Sequence, residues 1–152
     1  MSLLADQLDR DVRMHIYSQF VDSGRAPEVA DTAVGLRLNE AEVGEAFQRL
    51  ADTHVIVLEP GTLTVRMANP LSAIETPFKV RARNRNWFGN CIWDSLGVVA
   101  MLGGNGSVET TCGCCDEAMR VDVEDYRVPG TATGLVHFGV PARHWWDNII
   151  HT

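Results

Sequence analysis

Apolar residues near the start of the chain recur at every fourth position, which is the spacing of one helix face. The set ends near Gly24, a residue type that commonly follows a helix. Its members are Leu4, Leu8, Val12, Ile16 and Phe20. The pattern predicts a first helix over roughly the first two dozen residues.

Two shorter helices are predicted next. Pro27 opens a second helix that continues through Val34, and Gly35 is expected to break it. Asn39 caps a third helix, and Glu42 three residues later completes a capping box. The apolar face of this third helix consists of Val43, Ala46, Phe47 and Leu50.

Alternating strand-like runs at 54–59 and 62–67 flank Pro60-Gly61, so they predict a hairpin. Three helices followed by a hairpin is the element order of a winged helix. Its third helix, however, carries Glu40, Glu42 and Glu45 against a single Arg49, whereas phosphate contacts need positive charge. We therefore expect a scaffold or interaction role for residues 1–70 and no DNA binding.

Residues 68–80 hold two prolines and no hydrophobic period, and they predict a linker on the surface. The following run, 79–85, has four positive charges alternating with Val80 and Ala82, which indicates an exposed edge strand. Together, residues 71–86 are assigned to a linker and edge strand between two domains.

The remaining residues, 87–152, predict a second domain of α+β class. Gly89-Asn90 breaks the chain, Asn90 is a good N-cap, and residues 92–102 form an apolar helix ended by Gly103-Gly104. Short alternating strands are expected at 107–112, 118–123 and 134–140, with another element after Pro141. The expected fold is a buried helix against a small antiparallel sheet, preceded by the winged-helix unit.

Composition narrows the class of protein. The 13 basic and 20 acidic residues give a net charge of −7, which argues against a general nucleic-acid binder. No apolar run reaches the roughly 18 residues of a membrane-spanning helix, and the N-terminus has acids where a signal peptide has basic residues. A cytoplasmic protein without membrane association is the expectation.

All four cysteines lie close together in sequence, at Cys91, Cys112, Cys114 and Cys115. A disulfide-stapled secreted domain spreads its cysteines, so this clustering points to soft-metal or nucleophilic chemistry. The alternative is that Cys91 is a buried small hydrophobic residue and the others cluster by chance. Zinc is not expected, because Cys112 and Cys115 supply only half of a tetrahedral site.

Cys91 and Asp94 are the candidate catalytic pair. With Asn90 as cap, Cys91 is the first helical residue and shares a face with Asp94. The helix N-terminus should lower the pKa of the thiol. The neighbouring Trp87, Phe88 and Trp93 should desolvate the pair and raise the pKa of the carboxyl. A soft nucleophile beside a proton donor is the minimum needed to cleave a metal–carbon bond.

The stretch NWFGNCIWDSLGVVAMLGGNGSVETTC, residues 86–112, resembles the core of the alkylmercury lyases, or organomercurial lyases. The run RMANPLSAIETPF and the winged-helix region before it also resemble members of this family. The resemblance implies that Cys91 is a catalytic thiol, that Asp94 delivers or relays a proton, and that Cys112 is structural. Hg(II) is then the substrate ion, and no organic cofactor is required.

The family also uses a second catalytic cysteine, which would fall just beyond Thr152. Either the natural chain continues, or Cys112, Cys114 or Cys115 substitutes as a metal-binding thiol, or lyase activity is lost. In the implied reaction one thiolate captures R–Hg⁺, a second raises the electron density on carbon, and a proton then releases R–H. The partner is a small organomercurial or a thiol-bound metal ion.

Three histidines, 137, 144 and 151, and the pair Trp145-Trp146 remain near the C-terminus. His137 is expected in a strand as a core or edge residue, and the tryptophans in the core with one ring lining a pocket. The competing function is a winged-helix, thiol-based heavy-metal binding or sensing protein without lyase activity. Such a sensor should have a basic third helix.

Overall fold

Three α-helices form the N-terminal part of the protein, as the hydrophobic pattern predicts. The computed structural model describes residues 3–130 and 134–150. Helix α1 spans Leu3–Ser23, α2 spans Val29–Leu36 and α3 spans Glu40–Asp52. Val12, Ile16 and Phe20 of α1 are fully buried, which confirms the predicted face.

The predicted cap of α3 is confirmed, whereas the predicted break in α2 is wrong. Asn39 accepts the Ala41 backbone N–H at 2.7 Å, and Glu42 accepts the Asn39 N–H at 3.4 Å. Helix α2 continues through Gly35 and ends at Leu36. The absence of a side chain at Gly35 leaves room for the imidazole of His15 on α1, with which a Cβ would collide. Glycine here permits close helix packing instead of ending the helix.

One antiparallel sheet follows the helices. Its strands are β1 Val57–Leu58, β2 Val65–Ala68, β3 Leu71–Ser72, β4 Lys79–Ala82, β5 Arg85–Gly89, β6 Gly106–Thr111 and β7 Ala118–Val123. Within the described residues the strands lie in the order β1-β2-β3-β5-β4-β6-β7. The β1–β2 pair is the predicted hairpin, with shorter strands than the sequence indicates.

The expectation of a surface linker at 68–80 is wrong around Leu71 and Ser72. Both residues are buried, and their strand β3 pairs with β2 on one side and β5 on the other. A two-residue strand is too short to show a hydrophobic period, so the sequence pattern could not reveal it. The predicted domain boundary after residue 70 falls between two paired strands, and the domain division itself stays a prediction.

Strand β4 is not the exposed edge strand that its charges suggest. Val80 and Ala82 are buried, and Arg81 points to solvent, so the predicted alternation is present. However, β4 pairs with β5 and with β6 and therefore lies inside the sheet. Lys79 and Arg81 thus lie on the polar face of an interior strand.

Helix α4, Ile92–Met101, packs against β3, β4, β5 and β6 and buries Val98 and Val99. It ends where the sequence predicts, at Gly103 and Gly104, both with positive φ. The prediction of a strand at 134–140 is wrong. These residues are irregular and exposed. A 3-10 helix, Ala142–Asp147, follows.

Hydrogen bonds connect α1 to the sheet and to the loop after β2. The Tyr17 hydroxyl donates to the Asn69 carbonyl at 2.8 Å, and the Trp87 indole N–H donates to the Phe20 carbonyl at 3.3 Å. Both groups are withdrawn from bulk water, where an unmade hydrogen bond would be costly. Among the described residues, no helix combines the length and apolar character needed to cross a membrane.

Candidate active site

A cavity of about 480 Å³ lies at the N-terminus of α4. Cys91 and Asp94 both line it, close to where β5 ends and α4 begins. The loop after β2 contributes Asn69, and the C-terminal segment 136–149 provides the opposite wall. The structure thus brings the two candidate catalytic residues into one pocket.

Cys91 is itself the N-cap of α4, which corrects the expectation that Asn90 is the cap. Its backbone is extended, with φ −148° and ψ −179°, and its sulfur accepts the Asp94 backbone N–H at 3.5 Å. Its carbonyl accepts the Ser95 hydroxyl at 2.8 Å. The sulfur is therefore fixed over the unpaired amides of the first helical turn.

Asn90 holds the carboxyl of Asp94 instead of capping the helix. Its side-chain amide donates to Asp94 Oδ2 at 3.2 Å and to Asn69 Oδ1 at 3.4 Å. The Asn90 Oδ1 atom is buried and has no hydrogen-bond partner among the described residues. The Asn90 amide thus bridges two elements of the pocket.

The pKa of the Cys91 thiol is raised, contrary to the expectation from the helix N-terminus. Burial is the main cause, followed in the same direction by the negative charge of Asp94, and the Asp94 backbone N–H only partly offsets them. The helix-terminal effect is real but smaller than desolvation at this half-buried position. Burial at this position therefore favours the neutral thiol over the thiolate.

Burial also raises the pKa of Asp94, in the direction that the sequence predicts. Hydrogen bonds from Asn90 and from the Cys91 thiol act in the opposite direction and are smaller in effect. The thiol and the carboxyl are thus close enough for each to affect the pKa of the other.

Aromatic rings line the cavity, but only one of the three predicted rings does so. Trp93 lines the cavity, whereas Trp87 is buried in the core and Phe88 is not part of the lining. The other rings come from the C-terminal segment. They are Phe138, Trp145 and Trp146.

These C-terminal rings form a connected series across the pocket. Phe138 meets Trp93 edge-on with centroids 6.0 Å apart and lies 5.6 Å from Trp145. Trp146 stacks on His54 at 3.9 Å, on the side facing α3. The adjacent pair Trp145-Trp146 was the sequence feature that could have indicated these aromatic rings. We expected the two tryptophans to pack in the core with one ring lining a pocket. That expectation was wrong, because both rings line the pocket.

The sequence profile of the alkylmercury lyase family, MerB, matches residues 71–152. The match covers more than half of the chain and contains the whole of α4 and the Cys91–Asp94 pair. The chain belongs to the alkylmercury lyase family. The profile begins at β3, so the family domain includes the strands that the sequence pattern assigned to a linker.

The fold is similar to that of a protein of known structure. The crystal structure of the mercury-bound form of MerB2 superposes with a TM-score of 0.65 at 21% sequence identity. The alignment covers 80% of this chain and 58% of the MerB2 chain, so this chain spans less than two thirds of that protein. No curated protein matches the chain significantly.

The other three cysteines of this family member lie outside the cavity, in the loop that joins β6 to β7. The Cys112 N–H donates to the Glu117 carbonyl at 2.8 Å, and the Asp116 N–H donates to the Cys112 carbonyl at 2.9 Å. These two hydrogen bonds close the loop. Cys112 is half-buried, and Cys114 and Cys115 are exposed. The structure does not bring these thiols to Cys91.

Hydrogen bonds lower the pKa of Cys112. The largest contributions come from the backbone N–H groups of Cys114 and Cys115, and the thiol of Cys115 adds a smaller one. No group of three or more His, Cys, Asp or Glu side chains is arranged to hold a metal ion within the described ranges 3–130 and 134–150.

The histidines near the C-terminus differ from expectation as well. His137 lies in the irregular exposed segment and lines the cavity, so it is neither in a strand nor in the core. His144 is exposed, and its Nδ1 lies 2.9 Å from Asp147 Oδ2. His151 lies outside the described residues.

Proposed function

We propose that this member of the alkylmercury lyase family cleaves carbon–mercury bonds by protonolysis. Cys91 is the thiol that captures the mercurial, and Asp94 is the proton donor. The observation that carries the proposal is that this thiol and this carboxyl line one aromatic-walled cavity at the start of α4, where the Cys91 sulfur accepts the Asp94 backbone N–H at 3.5 Å. The assignment of roles agrees with what the family resemblance implies.

Capture replaces the ligand X of an organomercurial R–Hg–X by the Cys91 sulfur. A sulfur–mercury bond forms, and the thiol proton leaves with X or passes to the nearby Asp94 carboxylate. Mercury is a soft ion that prefers sulfur, so a neutral thiol is deprotonated by binding. A raised thiol pKa therefore does not prevent capture.

Cleavage requires a second thiolate and a proton. The thiolate adds to mercury and raises the electron density on carbon, and the protonated Asp94 then delivers its proton to that carbon. The electron pair of the carbon–mercury bond becomes the new C–H bond. The products are R–H, the Asp94 carboxylate and Hg(II) held between Cys91 and the second sulfur. In this proposal a small thiol from solution supplies that sulfur.

Burial contributes to both steps. Desolvation keeps Asp94 protonated to higher pH than an exposed carboxyl, so more of it is in the acid form at working pH. The rings of Trp93, Phe138 and Trp145 provide an apolar wall suited to an alkyl or aryl group. No organic cofactor is needed, because the thiols and the acid supply the chemistry.

The test is hydrocarbon release from phenylmercury in excess small thiol, followed by gas chromatography. We expect Cys91→Ser to abolish benzene release, because serine is neither soft nor readily ionised. Asp94→Asn should still bind the mercurial and turn over more slowly by a factor of about 10²–10⁴, the usual contribution of proton donation. Cys114→Ser, an exposed cysteine outside the cavity, is the matched control and should retain full activity. Full turnover by Cys91→Ser would exclude Cys91 as the capturing thiol.

The alternative, a thiol-based metal sensor that binds DNA through a winged helix, is less well supported. The first turn of α3 is acidic, with Glu40 and Glu42. Its only basic residue, Arg49, is paired with Asp9 at 2.7 Å. We propose that the helical region is a winged helix used as scaffold, and that the protein acts in the cytoplasm, where its thiols stay reduced. Tight, salt-sensitive binding to duplex DNA would favour the sensor instead.

A further inference from the structure

A series of hydrogen bonds runs from α1 to the carboxyl of Asp94. The Tyr17 hydroxyl donates to the backbone carbonyl of Asn69 at 2.8 Å. The Asn90 amide donates to the side-chain oxygen of Asn69 at 3.4 Å and to Asp94 Oδ2 at 3.2 Å. Tyr17 and Asn69 are 52 positions apart in the chain, so only the fold brings them together.

The two contacts of Asn90 specify the orientation of its side-chain amide. Asn69 Oδ1 and Asp94 Oδ2 are both acceptors, and only the nitrogen of an amide can donate to them. Turning the amide over would place its oxygen against two other oxygens. Asn69 therefore acts on the carboxyl through Asn90, because its side chain keeps the N–H groups of that amide on the side of Asp94.

We propose that Asn69 and Tyr17 are positioning residues that hold the proton donor of the reaction in place. This rests on the proposed function, in which Asp94 is that donor. Tyr17 fixes the backbone of Asn69, whose side chain fixes the Asn90 amide. An N–H group at Asp94 Oδ2 disfavours a proton on the same atom, so the neutral acid carries its proton on Oδ1. The series thus determines which carboxyl oxygen delivers the proton.

Both positioning residues lie outside the part of the chain that matches the family profile, which begins at residue 71. Tyr17 lies in α1, and Asn69 directly follows β2. Burial raises the pKa of the Tyr17 hydroxyl, and the charge of Arg13 opposes this only partly, so the hydroxyl stays a donor at neutral pH. The helical region thereby takes part in the reaction in addition to its role as scaffold.

The experiment measures hydrocarbon release and the pKa of Asp94 in Tyr17→Phe and in Asn69→Ala, each made in the full chain. Both changes should free the Asn90 amide to turn. The pKa of Asp94 should then rise, since that amide favours the carboxylate. We expect kcat to fall by about threefold to tenfold with KM nearly unchanged, because the donor is misplaced while the mercurial still binds.

Carbon-13 NMR of labelled aspartate gives the pKa, and the Asp94 signal is identified by its loss in Asp94→Asn. Cys91 and His137 also line the cavity and titrate, so this signal is followed in addition to the pH–rate profile. The matched controls are Tyr126→Phe and Asn86→Ala, at exposed residues that do not line the cavity. Both controls should leave kcat and the pKa of Asp94 unchanged.

A double-mutant cycle separates positioning from a general loss of structure. If Tyr17 and Asn69 act through the Asn90 amide, neither substitution should change kcat or the pKa of Asp94 further in an Asn90→Ala background. A general destabilisation would instead have the same effect in both backgrounds. Tyr17→Phe removes one hydroxyl and keeps the ring, so it tests the series alone if Asn69→Ala does not fold.

Two outcomes would overturn the proposal. One is an unchanged pKa of Asp94 in a folded Tyr17→Phe or Asn69→Ala chain, and the other is additivity of either substitution with Asn90→Ala. The expected pKa changes together with no hydrocarbon release by the wild type would support the positioning of Asp94 and reject the lyase function. The two failures are therefore distinguishable.

Discussion

Asn90 donates its side-chain amide to Asp94 Oδ2 at 3.2 Å, and the same amide reaches Asn69 Oδ1 at 3.4 Å. The amide thereby connects the start of α4 to the loop after β2. It stabilises the ionised form of a carboxyl that burial would otherwise keep protonated. The acidity of Asp94 is set by these two opposing effects, and burial is the larger.

Asn90→Ala should raise the pKa of Asp94 further. The hydrogen bond that favours the carboxylate is removed while burial remains, so the folded protein holds the proton more tightly. If protonated Asp94 is the acid, the alkaline limb of the pH–rate profile moves to higher pH by the same amount. Carbon-13 NMR of labelled aspartate gives the pKa directly. Asn105→Ala, an exposed asparagine in the loop before β6, should shift neither quantity.

Asp94→Asn should lower the pKa of Cys91. The charge of Asp94 and its hydrogen bond both raise the thiol pKa, and both disappear in the variant. Burial, the largest cause of the rise, remains in the variant, so we expect the pKa to fall without losing that contribution. The thiolate absorbance is titrated in a chain whose other three cysteines are serine. Asp11→Asn, on the exposed face of α1, is the control, and an unchanged Cys91 pKa in Asp94→Asn would contradict the contact.

The same variant should change the pH dependence of stability. The folded pKa of Asp94 lies above the ordinary value of 3.8, so its contribution to stability is fully present below that value. The contribution is lost as pH rises through the folded pKa. The asparagine side chain of the variant does not ionise, so the variant gains stability relative to wild type as pH increases over this window. Urea unfolding at a series of pH values measures the difference, and a constant difference would argue against the raised pKa.

Gly89→Ala should destabilise the protein and displace Cys91. A Cβ at Gly89 would lie 2.7 Å from the Ser95 backbone nitrogen and 2.8 Å from its Cα, and a helix backbone cannot move aside easily. Overpacking of this kind costs on the order of 1–3 kcal/mol. Gly130→Ala, where the added methyl meets open space, should change the unfolding free energy by less than about 0.5 kcal/mol. Equal effects of the two substitutions would show that α4 does not pack tightly on β5.

Leu71→Ala should be strongly destabilising, although sequence patterning places this residue in a linker. Its side chain is fully buried in β3, and a leucine-to-alanine change in a core costs about 2–5 kcal/mol. Leu135→Ala is the matched control, because Leu135 is 100% exposed. Chemical denaturation of both variants measures the contrast. A small effect at Leu71 would mean that β3 is not an integral part of the sheet.

Local chemistry determined what the sequence predicted correctly. The spacing of Val12, Ile16 and Phe20 specifies a helix face, and the capping box at Asn39 specifies a helix start, because each depends on residues within one or two turns. The proximity of Cys91 and Asp94 was predictable for the same reason. Residues three apart at a helix start are neighbours whatever the rest of the chain does.

Tertiary structure alone decided the position of β3 and β4 in the sheet, the source of the aromatic wall and the protonation of Cys91. A two-residue strand has no period, and a strand's place in a sheet depends on partners distant in sequence. Trp145 reaches the pocket only because the C-terminal segment folds back over α4. The thiol pKa follows from burial, which arises from all the surrounding elements together, and at Cys91 burial outweighs the helix terminus that the sequence could reveal.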